Sequence, residues 1–195
     1  MKYRSILLFG APGSGKGTQG KILGAIPNFY HLACGDLLRL LTPESELGRI
    51  FREYSSRGEL VPDEPVIRIW RQHLEQATRE NRFDPAADIL VLDGIPRNPN
   101  QARLLSGSLD VLLVLYLGCS DMEKMVLRLQ RRALRENRAD DARADVIRKR
   151  LEVFQAESKP LLDFYGPALL RTIDATQTPL QVLRDVLHAL EERIG

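Results

Sequence analysis

Cysteine is nearly absent from this 195-residue chain: there are two, Cys34 and Cys119, 85 positions apart. No metal or redox spacing can be built from that pair, and a disulfide-stapled scaffold is excluded. Long hydrophobic runs are missing as well. The longest apolar stretches, Ile6–Phe9 and Val111–Leu117, are far too short to span a bilayer. Met1–Arg4 leads straight into a short apolar segment and a glycine loop, without the apolar region and cleavage site of a secretory leader. A reduced, cytoplasmic protein is expected. No fixed-period repeat or low-complexity linker stands out. Disorder and a collagen-like chain are excluded by 44% hydrophobic and 28% charged residues. The length suits one sizeable core and not two.

Lysine is scarce, with six against 22 arginines, and the net charge of +2 is too small to imply a nucleic-acid partner on its own. Its distribution says more. Arg128–Arg150 holds nine positive and four negative side chains, so this stretch is cationic while the remainder is slightly acidic. A local cationic region on a near-neutral body suggests a focused anion site; a solvated charged helix is the plain alternative. The arginine bias suits phosphate-binding forks, although genome composition gives the same bias.

Short apolar runs alternate with helical patterns. Ser5–Phe9, Tyr30–Cys34, Asp88–Leu92, Val111–Leu117 and Leu170–Asp174 read as strands. Gln19–Ala25, Pro65–Glu80, Asn98–Leu105, Asp121–Leu134, Ala142–Phe164 and Pro179–Ile194 read as helices. Strands without period-2 alternation, separated by helices, argue for an α/β fold with a parallel sheet covered on both faces. Two excursions interrupt the rhythm, about Asp36–Pro65 and Arg132–Asp141. They read as lids or substrate loops inserted into one core.

The sharpest local signal is Gly10-Ala-Pro-Gly-Ser-Gly-Lys16-Gly-Thr18, between a strand and a helix. Glycines there let the backbone close around an anion. Successive N–H groups then form a nest at a helix N-terminus, and Lys16 reaches the outer phosphates of a nucleotide. The hydroxyl that commonly follows the lysine and ligates magnesium is displaced: Gly17 intervenes before Thr18. Asp93, at the carboxyl end of Ile89–Leu92, is the candidate to support the metal.

Gly10–Gln19 resembles the opening of adenylate kinases and their nucleoside-monophosphate kinase relatives. So do Gly35-Asp-Leu-Leu-Arg39, Gly58-Glu-Leu-Val-Pro-Asp63, Leu92-Asp-Gly-Ile-Pro-Arg97 and Arg138-Ala-Asp140-Asp141 followed by Arg150-Leu-Glu, in the family's order. The likeness runs from Tyr3 to about Leu187. It implies a P-loop NTPase-type five-stranded parallel core (1–34, 65–131 and 142–195), an NMP-binding insertion (35–64) and a short lid (132–141) without the zinc-binding cysteines of some relatives.

The reaction implied is reversible phosphoryl transfer from MgATP to a nucleoside monophosphate. The resemblance implies catalytic roles for Lys16, Arg97, Arg132, Arg138 and Arg150. It implies ATP binding by Gly13, Ser14, Gly15, Lys16, Gly17, Thr18, Arg128, Arg132 and Gln177. The acceptor would meet Cys34, Arg39, Glu59, Leu60, Val61, Gly94, Arg97, Gln101, Arg138 and Arg150. Asp93, with Asp36 through water, would support magnesium. Asp140 and Asp141 would orient lid arginines.

The acceptor base is read from mixed signals. Cys34 replaces the threonine usual in adenylate kinases and the alanine usual in UMP/CMP kinases. Asn98 leans towards the latter and Gln101 towards the former. The amide of Gln101 can both donate and accept at an adenine edge, so AMP is expected, with a UMP/CMP kinase as the alternative. Ile95 replaces the usual aromatic after Asp-Gly, and Ala133 and Asn137 stand where the lid commonly has glycines. Two other classes stay open: an inactive nucleotide-binding regulator, and another small P-loop kinase. Trp70, with Ile67 and Leu74, reads as core packing. The expected partners are small nucleotides only, with no membrane or nucleic acid, and the expected state is a monomer.

Overall fold

The computed structural model describes residues 2–136 and 143–194. Five strands form one sheet in the order β2-β3-β1-β4-β5. They are β1 (Tyr3–Phe9), β2 (Phe29–Ala33), β3 (Ile89–Asp93), β4 (Leu109–Gly118) and β5 (Leu170–Asp174). Every pairing is parallel. Alternate residues of one strand serve opposite faces, which explains the continuous apolar runs. Leu7 and Phe9 join one buried cluster with Leu90, Leu92 and Val114. Ile6 and Leu8 join the other with Val91, Leu113 and Leu115.

Helices cover both faces. α1 (Lys16–Leu23) supplies Leu23, and α9 (Pro179–Ile194) supplies Val182, Val186 and Leu190, to one face. The other is covered by α4 (Asp63–Arg79), α5 (Pro99–Leu105), α6 (Met122–Glu136), α7 (Ala144–Val153) and α8 (Leu161–Tyr165). α4 shows the pattern most plainly. Val66, Ile67, Trp70, Leu74 and Ala77 recur at helical spacing and are all buried. Trp70 is core, with its ring edge-on to Tyr3 at 6.1 Å between centroids.

Several boundaries differ from the sequence reading. The expected helix Ala142–Phe164 is broken into α7, a wide turn over Phe154–Ser158 closed by Lys159 N–H donating to the Phe154 carbonyl, and α8. Pro160 opens α8, and its ring cannot continue a helix through that point. The Asp36–Pro65 excursion contains two helices, α2 (Cys34–Arg39) and α3 (Glu46–Ser56). α3 starts where the Ser45 hydroxyl accepts from Gly48 N–H at 3.0 Å. Cys34 belongs to α2 and not to the preceding strand, and α1 begins at Lys16 inside the glycine loop. β5 and α9 have the bounds expected from sequence.

The register sets up the site. Leu8 of β1 lies opposite Asp93 of β3, and Asp93 is also opposite Ala33 of β2. The glycine loop follows β1 directly, so Asp93 and the start of α2 stand beside it at the carboxyl edge. β1 connects onwards to β2 on one side of itself, while β4 and β5 lie on the other side. Ligand crevices in open α/β sheets form at such a switch point.

Candidate active site

The loop between β1 and α1 is built from backbone geometry. Gly10 has φ +147, and a Cβ there would meet the Leu117 carbonyl oxygen at 2.5 Å, so no other residue fits without displacement. Gly15 caps α1 at φ +100, and a Cβ there would meet nothing within 4 Å, so its open side faces the cleft. The Lys16 ammonium folds back over the loop and donates to the carbonyls of Gly10 at 2.7 Å and Ala11 at 3.1 Å. Burial lowers its pKa to about 8; Asp93 opposes that shift, and Arg97, Arg132 and Arg150 reinforce it. Those three guanidinium groups therefore act on the same point as the lysine.

One cleft holds Gly10, Gly13, Gly15, Lys16, Gly17, Thr18, Lys21, Asp36, Arg39, Asp93, Gly94, Arg97, Arg128, Arg132 and Arg150 along its wall. These residues come from β1, α1, α2, β3, α6 and α7, or from the loops at their ends. Arg39 and Arg97 converge: a Cβ placed on Gly35 would lie 3.1 Å from Arg39 Nη1 and 3.5 Å from Arg97 Nη2. Arg39 also pairs with Asp36 at 3.2 Å. Arg97 is held by its own Nε, which donates to the Gly94 carbonyl at 2.8 Å. The Arg128 guanidinium donates to the Ala175 carbonyl at 2.9 Å, and Lys124 to that of Thr176 at 3.0 Å. The loop after β5 is thus tied to α6.

Not every residue expected at the site lines this cleft. Leu60 does; Glu59 pairs with Arg57 at 3.0 Å, and Val61 is buried. Cys34 and Ser14 lie just behind the wall, both buried. Burial pushes the Cys34 thiol up to about 11. The Gln177 side chain donates to the Asp174 carbonyl and to Asp185. Gln101 is 1% exposed, with both ends of its amide engaged by Asp63 and by Arg97 N–H. Arg138, Asp140 and Asp141 lie outside the described residues.

Sequence reasoning passed over Lys21, Phe154 and Ser158, which also line the cleft. Phe154 follows Arg150 by four positions and stacks on Phe9 with centroids 5.5 Å apart. Helical spacing from a singled-out arginine was the signal available.

Comparison with known proteins decides the family. The adenylate kinase family model matches residues 8–168. The chain belongs to the adenylate kinase family. It is 37% identical to an adenylate kinase of Synechococcus sp. (strain JA-2-3B'a(2-13)), covering 96% of this chain and 95% of that protein. An adenylate kinase of Thermobifida fusca (strain YX) is 36% identical over 96% of this chain and 98% of its own. One of Maricaulis maris (strain MCS10) is 37% identical over 97% and 100%. The five-stranded parallel sheet with helices on both faces is the architecture expected of this P-loop kinase family. The chain is an enzyme, a nucleoside-monophosphate kinase.

Proposed function

We propose that this chain catalyses ATP + AMP ⇌ 2 ADP in the cleft above the sheet edge. One observation carries the reading. The glycine loop with Lys16 and the Arg39–Arg97 pair are two anion sites opening onto one cleft, with Arg132 and Arg150 lining it as well. Two polyanions are thereby drawn end to end. Each of these relatives bears the name adenylate kinase, which leaves the UMP/CMP alternative without support.

In this reading the loop N–H groups and the N-terminus of α1 hold the donor phosphates. Lys16 exchanges its two carbonyl acceptors for phosphate oxygens. Arg39 and Arg97 fix the acceptor phosphate in line with the bond that breaks, and Arg132 and Arg150 neutralise charge that builds on the transferring group. Phosphoryl transfer depends on such positioning and neutralisation more than on covalent help, and one arginine at the transition state is worth ~10³–10⁵ in rate. Residues 35–64 serve as the acceptor-binding insertion and 132–141 as the lid. Their closure excludes water, which would otherwise hydrolyse ATP. Arg138, Asp140 and Asp141 belong to that lid.

The described residues fit magnesium. Asp93 Oδ2 approaches the loop so closely that a Cβ on Gly17 would lie 3.4 Å from it, and Asp36 and Thr18 line the same wall. Magnesium prefers hard oxygens, commonly one or two carboxylates together with substrate phosphates. Among the described residues no group of three or more His, Cys, Asp or Glu forms a protein cage, and such a site needs none. When bound, the ion would neutralise charge on the donor phosphates. Asp93, directly or through water, and Asp36 through water would hold it.

No helix among the described residues is long and apolar enough to cross a membrane. A cytoplasmic monomer acting on free nucleotides is the simplest setting for this reaction. A coupled assay with AMP, CMP, UMP and GMP as acceptors tests the assignment. AMP should give the largest kcat/KM; CMP or UMP in that place overturns it, and tight ATP binding without ADP formation shows an inactive regulator.

A further inference from the structure

Asp63 opens α4, and its carboxylate reaches across to a segment 35 to 38 positions later. Three side-chain amides donate to it. Asn98 Nδ2 and Gln101 Nε2 meet Oδ1 at 3.0 and 2.8 Å, and Asn100 Nδ2 meets Oδ2 at 2.6 Å. A carboxylate only accepts, so it fixes which way the buried Gln101 amide points. Gln101 Oε1 is left to accept from Arg97 N–H at 2.7 Å. Asn98 Oδ1 accepts from Gln101 N–H at 2.8 Å and so caps α5. A continuous chain of charge-assisted and neutral hydrogen bonds thus runs from Asp63 to the backbone of Arg97.

The other end of Arg97 is fixed independently, by Nε on the Gly94 carbonyl. With the backbone held by Gln101 and the base of the guanidinium by Gly94, Arg97 lines the cleft with Nη2 on the same side of Gly35 as Arg39 Nη1. No cation pairs with Asp63 among the described residues, so its charge serves the amides alone. Removing it leaves the Gln101 amide buried with a lost acceptor and free to turn over, which would aim a donor at Arg97 N–H.

We propose that Asp63 is a positioning residue for the acceptor half of the site, setting Arg97 through Gln101 and leaving the donor half untouched. This rests on the reading of Arg97 as an acceptor-phosphate ligand. Asp63→Ala should raise KM for AMP about tenfold and lower kcat, while KM for ATP stays within about twofold. Asp63→Asn keeps one oxygen for Asn98 and Gln101, and Asn100 can turn to match the new amide, so it should recover most of the AMP affinity. Asp63→Ser cannot reach Gln101 and should repeat the alanine result, which keeps the test open if the alanine variant does not fold. Adding Asp63→Ala to Arg97→Ala should cost nothing further in kcat.

Equal rises in both KM values overturn the proposal, as do losses that add fully in the double variant. An Arg97→Ala enzyme with wild-type turnover overturns the Arg97 reading itself and takes the proposal with it. An impaired Arg97→Ala enzyme beside an unimpaired Asp63→Ala enzyme overturns the Asp63 role alone.

Discussion

Proton uptake on ATP binding follows from the position of Lys16. In the nucleotide-free protein its ammonium is desolvated against the Gly10 and Ala11 carbonyls, with Arg97, Arg132 and Arg150 near enough to repel it, and its pKa falls to about 8. A polyphosphate in the loop replaces two neutral carbonyls with formal negative charge and restores the ammonium. The sign is therefore fixed. Well below pH 8 the lysine is already charged and ATP affinity is flat; as the pH rises through 8, binding must increasingly return a proton. With a free pKa of about 8, roughly nine-tenths of the lysine is neutral at pH 9, so affinity falls about tenfold between pH 7 and pH 9. Calorimetry at pH 8.5 in two buffers of different ionisation enthalpy should show uptake of about three-quarters of a proton per ATP. Lys16→Arg, always charged, should show neither effect. Constant affinity to pH 9.5 without proton uptake would show that Lys16 is not the group that titrates on binding.

If Arg97 plays the proposed role of stabilising charge that grows in the transition state, Arg97→Ala should lower kcat by at least ~10²-fold; an unchanged circular-dichroism spectrum would separate this from unfolding. Trp70→Ala should destabilise the protein by about 3–5 kcal/mol in urea titrations, because this α4 ring is 1% exposed and packs edge-on against Tyr3 of β1. A loss under ~1 kcal/mol would contradict its place in the core. Iodoacetamide at pH 8 should alkylate the partly exposed Cys119 and spare Cys34, which is buried and has a thiol raised to about 11. Mass spectrometry of the native protein reads this directly; rapid loss of both thiols would place Cys34 elsewhere.

The parts legible in sequence were those whose cause is local. Gly10, Gly15 and Lys16 sit within seven residues of one another, so the loop and the helix after it are legible in the sequence itself. Leu170–Asp174 and Pro179–Ile194 are bounded by turn residues, and their observed limits match those the sequence predicts. Asp93 stood out because an acid ended an apolar run, and the register then set it beside the loop. Less was legible where tertiary contacts decide. α2 has six residues and no long apolar stripe, and it packs into the core through Leu38. The break after Val153 comes from Pro160 and a wide turn that periodicity alone does not show. Asp63 reads in sequence as an ordinary first-turn acid. Its partners are Asn98, Asn100 and Gln101, and nothing short of the folded chain joins them.

On the proposed function, donor and acceptor share one continuous cleft. Calorimetric titration with two adenosines joined through five phosphates probes both halves of that cleft at once. One molecule should bind per chain, with ATP and AMP both excluded from the complex. Binding that competes with ATP yet leaves AMP binding intact would contradict it.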